Sequence, residues 1–69
     1  MKRAEVFATL KTVNQLVDKM TTVSTDSKEY QDWADELYWA MEILTMGYHP
    51  WYSVHLSKKT GHYYIKVAD

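Results

Sequence analysis

The hydrophobic periodicity of this chain changes from helical to alternating across one short segment, residues 47–50. Through residues 6–44, apolar side chains recur every three or four positions, whereas from residue 51 they recur every second position. Gly47 can adopt the left-handed conformation that ends a helix, and Pro50 lacks the backbone N–H that a continuing helix requires. The pattern therefore predicts an α+β fold with the helices first and the strands after the break.

The first predicted helix covers residues 4–20. Its apolar residues follow a 4-3-4-3 spacing, which at about 100° per residue forms one stripe along a helix. The members of this stripe are Val6, Leu10, Val13, Val17 and Met20. Phe7 and Leu16 widen the stripe on opposite sides. Residues 21–25 are rich in hydroxyl and β-branched side chains, which favour a turn after the helix.

The second predicted helix covers residues 27–46. Asp26 is the expected N-cap, with Glu29 three residues later completing a variant of the capping box. At the other end, Gly47 and Tyr48 are expected to form a Schellman motif in which Tyr48 covers Ile43. The expected core face consists of Tyr30, Trp33, Ala34, Leu37, Tyr38, Met41 and Leu44.

The C-terminal segment predicts a β-hairpin with strands at about residues 51–57 and 62–67. A four-residue loop ending in Gly61 would pair Leu56 with Tyr63, Val54 with Ile65, and Tyr52 with Val67. This register places the apolar side chains on one face, and a slip of one residue would destroy that arrangement. The predicted architecture is a single domain over residues 1–69 in the order α-α-β-β, with the hairpin packed on the helices or joined to another chain's sheet.

Composition narrows the class of protein further. The chain has 69 residues, 46% of them hydrophobic, which is enough apolar surface for a core. Cysteine is absent, so disulfides and thiolate metal sites are excluded. Lys2 and Arg3 are followed by a stretch that polar residues interrupt, so we expect no export signal and a cytoplasmic location. No apolar run has the length of a membrane span.

Charge is segregated along the chain, and the middle segment is acidic. Residues 26–48 carry six carboxylates against the single Lys28, a net charge of −5. Within this segment Trp39 and Ile43 fall outside the expected core arc and, four residues apart, form one apolar patch. The predicted protein interface consists of Asp32, Asp35, Glu36, Trp39, Glu42 and Ile43. The alternative is a second core face, with the hairpin or the first helix covering this flank.

The outward face of the hairpin interleaves aromatic and cationic side chains, as surfaces that bind single-stranded nucleic acid do. The residues of this alternative nucleic-acid face are Trp51, His55, Lys58, Lys59, His62, Tyr64 and Lys66. The competing interpretation is a solvated sheet face with a cross-strand pair of His55 and Tyr64. We favour the solvated face, because the chain lacks the strong basicity that phosphate binding normally requires.

Neither a metal site nor an active site is expected. His55 and His62 would be diagonal neighbours on the hairpin, but no third ligand joins them. The chain has no cysteine nucleophile, phosphate-binding glycine loop or HExxH motif. We therefore expect a protein without cofactors or enzymatic activity.

The expected function is protein binding. The acidic second helix would engage a larger protein or a protein–nucleic acid complex, as an inhibitor or accessory protein encoded by a phage or another mobile element would. A homodimer is a further expectation, because the hairpin edges expose unpaired backbone groups and Trp39 or Trp51 could pack against a second copy. The alternatives are a single-stranded nucleic-acid-binding protein and a homo-oligomeric structural protein.

Overall fold

The computed structural model describes residues 2–46 and 50–68. It contains, in chain order, helix α1 (Arg3–Met20), helix α2 (Lys28–Thr45), strand β1 (Tyr52–Leu56) and strand β2 (Tyr63–Val67). The two strands form one antiparallel sheet. The predicted α-α-β-β order is confirmed, and each observed element begins and ends within one or two residues of its predicted bounds.

The two helices pack side by side and run in opposite directions. Near the end of α1, Lys19 Nζ lies 5.9 Å from the ring centroid of Trp33, near the start of α2. At the other end of the pair, Ala8 of α1 and Ile43 of α2 line the same groove. The loop between the helices is short, which favours this antiparallel packing.

The α2 N-cap is Ser27, so the prediction of Asp26 was wrong by one residue. Ser27 has an extended backbone, and its hydroxyl accepts a hydrogen bond from the Tyr30 N–H at 3.2 Å. A turn in which the Ser27 N–H donates to the Ser24 carbonyl places Ser27 at the capping position. Tyr30 therefore stands where a capping box needs Glu or Gln, and Glu29 is one residue too early. The predicted Schellman motif on Gly47 and Tyr48 lies outside the described residues.

The core lies where the helix pair meets the hairpin. Its buried members are Val6, Val13, Ala40, Leu44 and Tyr52. Around them pack the partly buried side chains Leu10, Leu37, Met41, Trp51, Val54, Tyr63 and Ile65. Val6, Leu10 and Val13 of the stripe predicted for α1 thus lie in the core, whereas Val17 and Met20 lie outside this cluster.

The predicted core face of α2 needs one correction. Tyr38 was assigned to it, but its side chain is 66% exposed, whereas Ala40, which was not assigned, is buried. The buried arc is centred on Leu44 and Leu37, so Tyr38 lies beyond one edge and Ala40 lies inside the other.

The hairpin has the predicted register, with Leu56 opposite Tyr63, Val54 opposite Ile65 and Tyr52 opposite Val67. Its loop closes through a 2.9 Å hydrogen bond from the Ser57 N–H to the His62 carbonyl. Gly61 has φ +76°, a left-handed conformation that costs an L side chain about 1–2 kcal/mol. The glycine at the end of the loop is therefore a conformational requirement of the turn.

Asn14 attaches the hairpin to α1. Its Nδ2 donates to the Tyr63 carbonyl at 2.9 Å, and its Oδ1 accepts from the Tyr63 N–H at 2.8 Å. These two backbone groups lie on the edge of β2 that faces away from β1, so one side chain pairs with the strand as a neighbouring strand would. Asn14 was not among the residues that the sequence predicted for the core or for an interface.

Tyr52 attaches the hairpin to α2. Its ring is buried in the core, and its hydroxyl donates to the Leu44 carbonyl at 2.6 Å. That carbonyl belongs to the last turn of α2, where carbonyls lack partners within the helix. Burial raises the pKa of the Tyr52 phenol above its ordinary value of 10.0. Asn14 and Tyr52 thus attach the sheet to α1 and α2, respectively.

Replacing Asn14 should separate the hairpin from α1. Asn14→Ala removes both hydrogen bonds to Tyr63 and leaves part-buried backbone groups without partners, so we expect a loss of about 2 kcal/mol in the free energy of unfolding. Urea denaturation measures this loss of stability. Gln15→Ala, at the neighbouring exposed position, is the matched control and should change stability by less than about 0.5 kcal/mol. Equal stability of the two variants would contradict the role assigned to Asn14.

The free energy of unfolding should fall at alkaline pH as the Tyr52 phenol ionises. The folded pKa is raised, so the contribution of the phenol is fully present below the unfolded pKa and is lost as the pH rises through the folded pKa. We expect Tyr52→Phe to be less stable by about 1 kcal/mol near neutral pH and to lose less stability than wild type at higher pH. Urea denaturation between about pH 9 and about pH 11 tests this. Tyr64→Phe, on the exposed face, should keep the wild-type pH profile.

Candidate protein interface

Trp39 and Ile43 lie on the surface of α2 and are not covered by the hairpin. Their side chains are 63% and 47% exposed, respectively. Sequence reasoning left open whether another element covers this flank. The hairpin packs on the helix pair from another side, through Tyr52 against Leu44 and through Tyr63 against Asn14. The predicted apolar patch is therefore accessible to solvent.

Beside this patch, an open groove of about 350 Å³ runs between the two helices. Its lining residues are Ala8, Thr9 and Thr12 of α1 and Glu36, Trp39, Ala40 and Ile43 of α2. We call this feature the α1–α2 groove. The α1 side chains are small and leave the groove open, whereas Trp39 and Ile43 rise from the α2 side. Sequence reasoning missed the α1 wall, whose signal is the small side chains at positions 8, 9 and 12.

The groove is less polar than its threonines suggest. The Thr9 hydroxyl donates to the Glu5 carbonyl at 2.8 Å, and the Thr12 hydroxyl donates to the Ala8 carbonyl at 3.2 Å. Both hydroxyl groups are thus engaged with their own helix backbone. The side chains of the groove therefore favour an apolar occupant.

Carboxylates surround Trp39 and Ile43 on α2. Asp32, Asp35 and Glu36 are exposed, and Glu42 is half-buried. Among residues 2–46 and 50–68, the one close contact between a basic and an acidic side chain joins His62 Nε2 to Asp18 Oδ1, away from this surface. No lysine or arginine in this part of the chain lies within 4.0 Å of the acidic groups around the patch, and the field of these groups extends into solvent.

The outward face of the hairpin holds fewer aromatic side chains than predicted. Trp51 was placed on it, but Trp51 packs against the core, with the Arg3 guanidinium 4.7 Å from its ring centroid and Phe7 6.4 Å away. Trp51 precedes β1, so strand alternation does not set its direction. The N-terminal turn of α1 covers it.

His62 also leaves the predicted face. Its Nε2 lies 2.6 Å from Asp18 Oδ1, which joins the hairpin loop to the last turns of α1. His62 precedes β2, so the strand does not direct its side chain either. In the part of the chain that the structure describes, no three His, Asp or Glu side chains form a metal-binding cluster.

The remaining hairpin face is the solvated cross-strand arrangement that the sequence favoured. The rings of His55 and Tyr64 stack with centroids 5.4 Å apart and planes inclined by 25°. His55 Nε2 also lies 2.8 Å from Ser53 Oγ. Lys66 shares this face, while Lys58 and Lys59 lie exposed in the loop. The two aromatic rings stack on each other, which reduces the ring surface open to a base.

A membrane-spanning helix must be both long and apolar. Within the described residues, neither α1 nor α2 combines the length and the apolar character that such a span needs.

We expect this hairpin face not to bind single-stranded nucleic acid. A mobility shift with an oligonucleotide of about 20 nucleotides, at low salt and about 50 µM protein, should show no complex. A complex that weakens in Tyr64→Ala and in the double variant Lys58→Ala/Lys59→Ala, but not in Lys28→Ala on α2, would contradict this expectation. Lys28→Ala controls for the loss of a positive charge.

Comparison with protein-family models, with curated proteins and with solved structures found no match to this chain.

Proposed function

We propose that this chain is a non-enzymatic protein-binding module that holds a larger protein on the α1–α2 groove and the acidic residues around it. The observation that supports the proposal is the exposure of Trp39 beside an apolar groove. Trp is among the residues most enriched where interfaces concentrate their binding energy, and a rim of polar or charged residues surrounds such centres. The Trp39–Ile43 patch has this arrangement.

The energetics of the patch favour an occupant. Covering a large apolar side chain contributes about 2 kcal/mol, and the groove beside Trp39 offers a partner side chain contact on several sides. Left uncovered, an apolar patch on a small protein promotes non-specific association. The surrounding carboxylates keep the free protein in solution and set which partners approach.

The charge of α2 favours a partner with a basic surface. Unneutralised carboxylates accelerate association with a cationic surface and disfavour an anionic one. The surfaces of proteins that bind nucleic acid are basic, so the acidic face of α2 would compete there with phosphate groups. A module of this kind acts as an inhibitor or an accessory protein of its target.

A second copy of this chain fits the same surface less well. A two-fold dimer brings identical patches together, so carboxylates of one copy would oppose those of the other. At the hairpin, Asn14 already pairs with Tyr63 on the outer edge of β2. Dimerisation stays a prediction that light scattering over a dilution series can test, and the α1–α2 groove is better suited to a partner of opposite charge.

Loss of Trp39 should remove partner binding without affecting the fold. The tagged chain is used to capture proteins from extracts of the cells that encode it, and the captured proteins are quantified by mass spectrometry. We expect Trp39→Ala to reduce recovery of the partner by about tenfold or more, as expected for a central interface aromatic. Tyr64→Ala is the control, because Tyr64 is an exposed aromatic residue on the hairpin that does not line the groove.

A second pair of variants separates the effect of local charge from that of net charge. Asp35→Lys lies beside the patch and should reduce capture, whereas Asp26→Lys makes the same change of net charge in the turn before α2 and should not. Circular dichroism confirms that each variant is folded. Partner recovery that is unchanged in both Trp39→Ala and Asp35→Lys would show that this face is not the interface.

A further inference from the structure

We infer that the occupant of the α1–α2 groove is a basic amphipathic helix supplied by the partner protein. The inference rests on the proposed function and deepens it by naming the kind of segment that the groove receives. Three properties of the groove lead to it: the elements that form its walls, the size of the side chains that line it, and the charge around it.

The walls of the groove are helices, and this favours a helical occupant. Amides inside a helix bond within that helix, so α1 and α2 present few backbone partners to a segment lying between them. An extended segment would bury unpaired amide groups there, at a cost of about 1–3 kcal/mol for each group. A helix satisfies its own backbone and brings only side chains into the groove.

The side chains of the groove match the packing of a third helix. Ala8 and Thr12 are four residues apart on α1, and Trp39 and Ile43 are four residues apart on α2, so each pair lies along a ridge of its helix. Ala40, whose side chain is nearly buried, lies between the two ridges as the floor. From Glu36 to Ile43 the groove follows α2 for about 11 Å, which is two helical turns. A large apolar side chain at the centre of the incoming helix would anchor the helix there.

The charge around the groove requires a basic helix. Glu36 lies in the lining itself, while Asp32 and Asp35 precede Trp39 on the exposed side of α2. Lysine or arginine residues three or four positions from the apolar anchor would lie on the same face of the incoming helix and reach these carboxylates. An acidic helix of the same shape would be repelled.

The chain itself does not supply such a helix from a second copy. The apolar stripe of α1 is used in its own core, with Val6 and Val13 fully buried. The exposed apolar face of α2 carries the acidic residues. A segment that is both basic and apolar on one face therefore comes from a different protein.

The test uses the full chain and a synthetic probe. The probe is a fluorescent amphipathic peptide of leucine and lysine, about 18 residues or five helical turns long. One control peptide replaces each lysine with glutamate, and a second has the same composition as the probe in an order that forms no apolar stripe. Fluorescence anisotropy gives the dissociation constants.

The expected result is that the leucine–lysine helix binds the wild-type chain at least about tenfold more tightly than either control peptide. Trp39→Ala should weaken binding by about tenfold, and Thr12→Tyr, which fills the groove from the α1 side, should have a similar effect. Tyr64→Ala, on the hairpin, should stay within about twofold of wild type. Amide chemical shifts of Ala8, Thr12 and Ala40 should change on titration with the peptide.

Several results would overturn the inference. Equal binding of the acidic peptide would show that binding does not depend on the charge of the helix. Equal binding of the reordered peptide would show that binding does not depend on an apolar helical face. Wild-type affinity in both Trp39→Ala and Thr12→Tyr would show that the peptide does not bind in the groove. A cellular partner captured through Trp39 that the leucine–lysine peptide fails to displace would exclude the basic helix while leaving the proposed function in place.

Discussion

The pairing of Asn14 with Tyr63 is the interaction on which the arrangement of this protein depends. A hairpin of two strands is marginal in water by itself, so its position is set by what holds it to the helices. Asn14 binds the outer edge of β2 through two hydrogen bonds of 2.8 and 2.9 Å, and Tyr52 binds the last turn of α2. Together they hold the hairpin on one side of the helix pair, which leaves the groove on another side uncovered.

The candidate interface is exposed because the hairpin covers only part of the apolar surface of the helix pair. Two antiparallel helices have more than one apolar flank, and a single small hairpin covers part of that surface. Trp39 and Ile43 lie on the flank that stays open, where the small side chains of α1 leave a groove beside them. Exposed carboxylates lie around this flank, and they are the basis of the proposal that the partner is basic.

Trp39 and Trp51 show how the same residue type has different roles in one small fold. Trp51 lies before β1, where it packs under the first turns of α1 and receives the Arg3 guanidinium on its ring. Trp39 lies on a regular helix, so its direction is determined by helix geometry, and within residues 2–46 and 50–68 no helix or strand covers it. The first stabilises the fold, whereas the second is available for binding.

Local sequence determined the element order, the strand register and the apolar stripe of α1, because each depends on a period that neighbouring residues reveal. It also placed Trp39 and Ile43 among carboxylates, since helix geometry relates positions four residues apart. Tertiary structure decided what local pattern could not. The contact of Asn14 with Tyr63 joins residues 49 positions apart, and that of His62 with Asp18 joins residues 44 positions apart. Trp51 and His62 precede β1 and β2, so the two-residue alternation of a strand does not apply to them. The packing of α1 against the hairpin sets the directions of their side chains.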